Sequence, residues 1–175
     1  LVGPVFVKIG VTKAGECGLN VTVDDIKKNS RVTDVMWGKE KICNYDSPAI
    51  VNETDSLFTI LNSFSRNQNL NYAVKNSQGK LVGIISLEHL KEVMQIGDFA
   101  ESMLAMDVMD PATITVKPST TLPDAYALFE ENDIDAMAIV DTDGEALGIL
   151  EKTTVDHYLH TRIIELNRKL DELDN

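Results

Sequence analysis

Two short segments of similar sequence carry the polar side chains that are best spaced to bind a small molecule. The first, GIIS, ends at Ser86 and is followed three residues later by His89, and the second, GILE, ends at Glu151 and is followed by Thr154. A hydroxyl and an imidazole can hydrogen-bond a polar ligand, and imidazole can change charge near neutral pH. A carboxylate repels a phosphate, so the first segment is the better candidate for an anion site. Alternatively, His89 is an exposed residue in the first turn of a helix.

Other groupings of reactive side chains fit structural roles better. The loop DTDG resembles the start of a calcium loop, but its twelfth position is Lys152 instead of glutamate. His157 and His160 lie three residues apart on a predicted helix, without a third ligand on the same face. Cys17 and Cys43 are too few for a disulfide framework or a zinc site and are expected to be reduced thiols. Because the sequence also has no phosphate loop, nucleophile elbow or catalytic carboxylate pair, we predict no enzymatic activity and no metal site.

The elements that must position these side chains occur twice in the sequence. One shift of the sequence superposes Gly79 on Gly144, and we call this shift the repeat offset. The same shift superposes the apolar helical stripe that begins at Leu57 on the stripe that begins at Leu122. A cluster of capping residues precedes each stripe, and two apolar runs with strand character follow it. The connectors between those runs place the two glycines where a hairpin often needs a positive φ. Each copy is therefore predicted as strand, helix, strand, hairpin, strand and helix.

This repeat defines the predicted domains. A copy of about 50 to 60 residues buries too little surface to be comfortably stable alone, so the two copies should share a core. The predicted fold class is α+β, with two β-α-β-β-α modules. We assign residues 1–31 to a membrane-helix remnant and linker helix, 32–96 to module 1, 97–160 to module 2 and 161–175 to a C-terminal amphipathic helix.

Charge is distributed unevenly along the chain. The protein has 16 basic and 28 acidic residues, for a net charge of −12. Residues 1–96 carry 11 basic and 10 acidic residues, whereas residues 97–175 carry 5 basic and 18 acidic ones. Because this charge repels phosphates, no nucleic-acid partner is expected.

The C-terminal segment is predicted to be an amphipathic helix. Its apolar residues are spaced by 4, 4, 3, 4 and 3 positions, at Val155, Leu159, Ile163, Leu166, Leu170 and Leu173. This spacing is typical of a coiled-coil seam and favours self-association of two chains. Alternatively, the helix folds back on its own module.

The N-terminal segment begins with the apolar stretch LVGPVFVKIGV. A membrane span needs roughly 20 apolar residues, so this piece cannot cross a bilayer by itself. It is either the last turns of a truncated membrane helix, with Lys8 and Lys13 at its exit, or a strand or chain terminus. The following TVDDIKKNSRVTDVM predicts one connecting helix that is capped by Thr22, with Asp25 three residues on.

The repeated segments AVKNSQGKLVGII and AIVDTDGEALGIL, with DVM before each copy, resemble a tandem pair of cystathionine-β-synthase-type (CBS) domains over roughly residues 32 to 160. The resemblance implies a pseudo-twofold packing of the modules and inter-module clefts that hold an adenine nucleotide, AMP, ADP or ATP, with no covalent cofactor. Nucleotide-binding members commonly have Ser or Thr after the glycine strand and Asp three residues later, so His89 and Thr154 depart from the pattern. The implied ligand-binding residues are Ser86, His89, Ile50, Val51, Tyr72, Ile114, Met137 and Thr154.

The opening residues LVGPVFVKIGVTKAGE resemble the exit of the last membrane helix in cation/proton antiporters of the sodium/hydrogen exchanger type. Together the two resemblances imply a non-catalytic regulatory domain on the cytoplasmic face of the cell membrane. Its expected partners are the transmembrane part of its own chain and a second copy in a homodimer. Two alternatives stay open: a ligand-free dimerisation module, and a domain that senses divalent cations through its acidic second half.

Overall fold

The computed structural model of the chain describes residues 8–11, 17–20, 22–36, 49–95, 102–111 and 114–173. The helices in these ranges are α1 (Val23–Asn29), α2 (Val32–Met36), α3 (Leu57–Arg66), α4 (Leu87–Met94), α5 (Ala105–Val108), α6 (Leu122–Asn132) and α7 (Lys152–Leu173). The strands are β1 (Lys8–Val11), β2 (Cys17–Asn20), β3 (Ile50–Asn52), β4 (Asn71–Lys75), β5 (Leu81–Ser86), β6 (Asp110–Pro111), β7 (Thr115–Val116), β8 (Ala136–Val140) and β9 (Ala146–Glu151). Helices and sheets are thus combined as the α+β prediction requires.

Each copy of the repeat builds its own sheet. The module 1 sheet has the order β3-β4-β5-β6 and the module 2 sheet the order β7-β8-β9. The first strand of each copy is parallel to the second, with Ile50 opposite Ala73 and Thr115 opposite Ala138. The hairpins β4-β5 and β8-β9 also share one register, including a shift at the same place. Because the repeat offset relates all these pairs, the two copies have the same fold, as predicted.

The local signals predicted for the helices and turns are also present twice. The Ser56 hydroxyl accepts from the backbone N–H of Thr59 at the start of α3, and Thr121 caps α6 in the same way. These bonds satisfy first-turn donors that have no partner within the helix. Gly79 and Gly144 both have φ of 80°, a conformation that side chains disfavour and glycine permits.

The two helices that contain the DVM motifs, α2 and α5, are exchanged between the copies. Val32 and Val35 of α2 are buried in the core of module 2, whereas Val108 of α5 is buried in the core of module 1. The backbone N–H of Val32 donates to the Thr120 carbonyl over 2.9 Å, and Ala105 makes the equivalent bond to module 1. The predicted domain boundaries at residues 32 and 97 place each DVM helix in the copy that follows it in the sequence. In the structure, each DVM helix contacts the other copy.

The tips of the two hairpins meet. Lys80 lies opposite Glu145 in an isolated antiparallel bridge. Around it, Leu81 N–H donates to the Gly144 carbonyl and Ala146 N–H to the Gly79 carbonyl. The repeat offset also relates Lys80 to Glu145, so equivalent positions pair with each other. This is the geometry of a pseudo-twofold axis between the modules.

The modules also share apolar packing. Ala138 and Ile149 belong to strands of module 2, yet both are buried in the cluster that forms the core of module 1. Ile149 is 2% exposed and Ala138 is fully covered. The predicted shared core is therefore confirmed.

The connecting helix predicted before module 1 is broken into two. Thr22 and Asp25 form the predicted capping box at the start of α1. The helix then ends at Asn29, because the Ser30 carbonyl accepts from Leu122 N–H of module 2 over 3.0 Å. The prediction of one continuous helix was wrong, because the Ser30 carbonyl bonds to Leu122 of another element and not to a residue of the same helix.

The C-terminal helix α7 continues the closing helix of module 2 without interruption. Val155 and Leu159 are buried in the module 2 core, and Ile163, Leu166 and Leu170 are partly buried against it. The helix also contacts α1 and α2. Of the two interpretations of this apolar seam, the structure therefore shows the one in which the helix folds back. The side chain of Leu173 lies outside the described residues.

The N-terminal residues that the structure describes are extended. Lys8–Val11 pairs antiparallel with Cys17–Asn20, so these four residues form a strand and not the end of a membrane helix. Residues 1–7, Lys13, Cys43 and the longer first linker at 37–46 lie outside the described residues. None of the helices in the described part has the length and hydrophobicity that a bilayer crossing requires.

If the core is shared, a cavity made in module 2 should loosen module 1. We expect Ile149→Ala to lower the free energy of unfolding by about 2–5 kcal/mol and to reduce amide protection on β4. Urea unfolding and hydrogen exchange measure the two effects. The matched control is Ile164→Ala, at a side chain that is 68% exposed, which should change stability by less than about 0.5 kcal/mol. Full protection of β4 in Ile149→Ala would contradict a shared core.

Candidate functional site

The position that the family resemblance assigns to the first cleft lies where strand β5 ends and helix α4 begins. Ser86 is the residue before the helix, and its hydroxyl accepts from the backbone N–H of His89 over 3.1 Å. Serine is favoured at this position because its oxygen satisfies a first-turn donor. Both side chains are partly exposed. The structure therefore brings Ser86 and His89 together, as their spacing predicted.

Asp110 completes this group of polar side chains from another part of the chain. The His89 Nδ1 atom lies 3.2 Å from Asp110 Oδ2. Asp110 belongs to β6, which pairs antiparallel with β5 and places Asp110 opposite Ile84. The side chain of Asp110 is 69% exposed and that of His89 is 33% exposed, so both can be reached from solvent. The sequence prediction missed Asp110; the only signal is its position directly after the second DVM.

Gly83 lets strand β6 lie against this edge. A Cβ atom at residue 83 would lie 2.7 Å from the carbonyl oxygen of Asp110 and 2.7 Å from Sδ of Met109. Both distances are shorter than any normal contact, so no side chain fits there. The close backbone approach that a glycine inside a strand predicts is confirmed at this position.

The second cleft has different chemistry at the equivalent positions. Glu151 is only 7% exposed, and its Oε1 accepts from Leu70 N–H over 2.8 Å and from Asn71 Nδ2 over 3.0 Å. These donors belong to module 1, so the carboxylate joins the two modules. Thr154 lies in the first turn of α7 and is partly exposed. The sequence gave no sign of these partners of Glu151.

Three of the apolar residues implied by the resemblance lie inside the cores. Val51 is 4% exposed, Tyr72 is 2% exposed and Met137 is fully buried. Ile50 and Ile114 are partly buried and pack against the cores of modules 1 and 2 respectively. A ligand role for all five stays a prediction.

Tyr72 links strand β4 to the end of helix α3 within module 1. Its hydroxyl donates to the Ser63 carbonyl and accepts from Asn67 Nδ2, both over 2.9 Å. Burial raises the pKa of the Tyr72 phenol above its ordinary value. The Asn67 bond opposes this shift, and the nearby negative charge of Glu151 adds to it.

The remaining candidate groups behave as structural elements. Asp141 Oδ1 accepts from the backbone N–H groups of Asp143 and Glu145, which is turn chemistry, as predicted for DTDG. His157 and His160 are exposed on α7. Among the described residues no group of three or more His, Cys, Asp or Glu side chains is placed to hold a metal ion.

Comparison with known proteins agrees with this duplicated architecture. The family model for the CBS domain matches residues 40–96 and again residues 105–161. The chain belongs to the CBS-domain family. An uncharacterised protein of Methanocaldococcus jannaschii, MJ1426, is 28% identical to this CBS pair over 60% of this chain and 82% of that protein.

Solved CBS-domain structures share the fold. CBSX2, solved in complex with AMP, has a TM-score of 0.58 and 22% identity over 78% of this chain and 98% of that one. The cytosolic domain of the Mg2+ channel MgtE, solved in complex with ATP, has a TM-score of 0.51 and 22% identity over 62% of this chain and 44% of that one. The tandem CBS fold is therefore established for this chain, and such a pair is a regulatory, ligand-binding module.

Glu151 should stabilise the CBS pair through its two acceptor bonds. We expect Glu151→Ala to lower the free energy of unfolding by about 1–3 kcal/mol, because it leaves the Leu70 N–H without its acceptor. Glu151→Gln should lose less, since its amide oxygen can still accept. The control is Glu145→Gln, at an exposed carboxylate. Equal unfolding midpoints for Glu151→Ala and Glu145→Gln in urea would contradict this role.

Tyr72 should make stability decrease at alkaline pH. Its pKa is raised in the folded state above the unfolded value of about 10. The stabilisation from the neutral phenol is therefore complete below pH 10 and is lost as pH rises through the folded-state pKa. Tyr72→Phe should be less stable than wild type at pH 8, by about 0.5–1.5 kcal/mol for the lost bond to Ser63.

The difference between Tyr72→Phe and wild type should then shrink above pH 10, as measured by urea unfolding at several pH values. Burial also raises the pKa of Tyr158, so Tyr158→Phe should show the same trend. A gap between Tyr72→Phe and wild type that widens with pH would refute the prediction.

Proposed function

We propose that this CBS pair is a non-catalytic sensor that binds an adenine nucleotide in the first cleft. The observation that carries the proposal is the convergence of the Ser86 hydroxyl, the His89 imidazole and the Asp110 carboxylate at one exposed edge. The hydroxyl and the imidazole can donate to phosphate oxygens, and the carboxylate can accept from ribose hydroxyls. The AMP and ATP complexes of CBSX2 and MgtE support this ligand class.

The second cleft is assigned no nucleotide. Glu151 stands where a hydroxyl is usual, and its carboxylate already accepts two bonds from module 1. Glu151 therefore offers a ligand no hydroxyl donor at this position, and the residue is only 7% exposed. We therefore propose one nucleotide per chain.

The first cleft also offers a route for regulation. His89 belongs to module 1, whereas Asp110 follows the exchanged helix α5 and precedes the first strand of module 2. Both side chains lie in the module 1 sheet or its helix, so a ligand that contacts them contacts module 1 next to the segment that leads into module 2. It would favour the arrangement of the modules that it binds more tightly, which is the thermodynamic requirement for a regulatory effect.

We further propose that the controlled partner is the transmembrane part of the same polypeptide, a cation/proton antiporter, at the cytoplasmic face of the membrane. The support is the sequence resemblance of residues 1–16, within which Lys8–Val11 form a strand, together with MgtE, a Mg2+ channel whose cytosolic domain shares this fold. The reading frame upstream of Leu1 tests this proposal, because an antiporter requires several apolar spans there.

A ligand-free assembly module is the second candidate. The position of Glu151 favours it, because the carboxylate links the modules directly in the cleft where a ligand would otherwise lie. In this case the protein would associate in the same way with and without nucleotide. Divalent-cation sensing stays a prediction from charge alone and is tested by adding Mg2+ to the same experiment.

Isothermal titration calorimetry with AMP, ADP and ATP tests the nucleotide site. We expect one site per chain, and we expect Asp110→Asn and His89→Ala to weaken binding of the preferred nucleotide at least tenfold, about 1.4 kcal/mol. Glu92→Gln, at an exposed carboxylate on the same helix as His89, should bind like wild type. No heat from any of the three nucleotides at millimolar concentration would rule out the proposal.

A further inference from the structure

The contact between His89 and Asp110 fixes which imidazole nitrogen carries a hydrogen. His89 Nδ1 lies 3.2 Å from Asp110 Oδ2. An ionised carboxylate only accepts hydrogen bonds, so the hydrogen between these two atoms belongs to Nδ1. In a neutral imidazole the other nitrogen, Nε2, is then an acceptor. While it is neutral, His89 in this position therefore offers a ligand a lone pair at Nε2 and not a donor.

A phosphate group cannot bond to this neutral form of His89. Phosphate oxygens are strong acceptors, so a phosphate oxygen and the lone pair of Nε2 repel each other. When Nε2 takes up a proton, both ring nitrogens donate, one to Asp110 and the other to the ligand. Imidazole changes charge near neutral pH, so this protonation is accessible under ordinary conditions.

The charges around His89 make the added proton important for an anionic ligand. Helix α4 packs against β5 and α5, and β6 supplies Asp110. Strand β5 carries no ionisable side chain. Among the described residues, the charged side chains on the other three elements are Glu88, Lys91 and Glu92 on α4, Asp107 on α5 and Asp110 on β6. These four carboxylates outnumber the one amine, so the region repels a phosphate unless the site gains positive charge.

We propose that the first cleft binds a phosphate-bearing nucleotide together with one proton, which Nε2 of His89 takes up from solvent. The inference rests on the proposed function of this cleft. A new N–H bond forms at Nε2, and the imidazolium is held between the Asp110 carboxylate and a phosphate oxygen of the ligand. Proton and nucleotide raise each other's affinity by the same factor, because the two binding events are linked. The cleft therefore responds to nucleotide concentration and to pH together.

The same geometry separates two classes of ligand. AMP, ADP and ATP carry negative phosphate oxygens, which need the protonated Nε2. Adenosine carries hydroxyl groups instead, and these can donate to the lone pair of a neutral Nε2. We therefore expect the preference for AMP over adenosine to decrease as pH rises.

Isothermal titration calorimetry in two buffers of different ionisation enthalpy, HEPES and Tris, counts the protons that the whole chain takes up. The ligands are AMP, ADP, ATP and adenosine at about pH 7.5, where a free nucleotide phosphate is almost fully ionised because its second pKa is about 6. We expect the heat of nucleotide binding to differ between the buffers by the amount that corresponds to about 0.5 to 1 proton per nucleotide. Adenosine should give the same heat in both buffers.

His89→Gln separates the titrating group from the hydrogen bond, because an amide nitrogen donates without changing charge. Proton uptake should fall to near zero in this variant. Nucleotide affinity should fall at least about fivefold from about pH 7 to about pH 9 in wild type and should stay nearly constant in His89→Gln. The matched controls are His157→Gln and His160→Gln, at exposed positions on α7, which should keep the proton uptake of wild type. An unchanged circular dichroism spectrum establishes that His89→Gln folds.

Two outcomes would overturn the proton coupling and leave the nucleotide site in place. One is a heat of nucleotide binding to wild type that is the same in both buffers, and the other is proton uptake that persists in His89→Gln. If none of the three nucleotides gives heat in either buffer at millimolar concentration, the nucleotide site itself is ruled out, and the proton coupling with it.

Discussion

The exchange of the two DVM helices is the constraint on which the rest of the structure depends. Each helix comes immediately before one copy in the sequence but hydrogen-bonds and packs against the other, through Val32 to Thr120 in one direction and Ala105 to Asp55 in the other. A copy of this size buries too little apolar surface to be stable alone. With the exchange, each core contains side chains from both halves, so neither half can keep its native core when the other unfolds.

The same symmetry makes the differences between the copies informative. Ser86 and Glu151 occupy equivalent positions at the end of the last strand, yet one caps a helix beside an open edge and the other is buried and accepts bonds from the opposite module. One cleft therefore keeps exposed polar groups and the other has become part of the inter-module contact. The two equivalent positions therefore have different roles. Ser86 leaves polar groups open to solvent, whereas Glu151 links the two modules.

Much of the fold could be predicted because its determinants are local and occur twice. The capping residues, the helical stripes and the two glycines with φ of 80° each act within a few positions. Each of these signals in one copy recurs at the equivalent position of the other copy. The helix break at Ser30 could not be predicted, since it depends on a bond to Leu122 in another element. The same reason explains why the α7 seam suggested a partner chain: periodicity shows that a face is apolar, but not what covers it.

The candidate site, like the fold, could be predicted only where its residues are close together in the sequence. Ser86 and His89 were found because they are three residues apart, as a helix start requires. Asp110 lies far from His89 in the sequence and reaches it only because β6 pairs with β5. Val51 and Tyr72 were proposed as ligand residues on family resemblance, and both are buried. Tyr72, Ala73 and Val74 are buried in succession along β4, so no alternation along that strand could mark a side that faces a ligand.

The placement of strand β6 also limits how far the modules can separate. Pro111 ends a strand of the module 1 sheet and Thr115 begins the module 2 sheet, so only a few peptide units connect them. An extended chain gains at most about 3.6 Å per residue, so the four residue steps from Pro111 to Thr115 span at most about 14 Å. This connection starts beside Asp110, the residue that contacts His89. A short covalent path therefore joins the His89–Asp110 contact to the first strand of module 2.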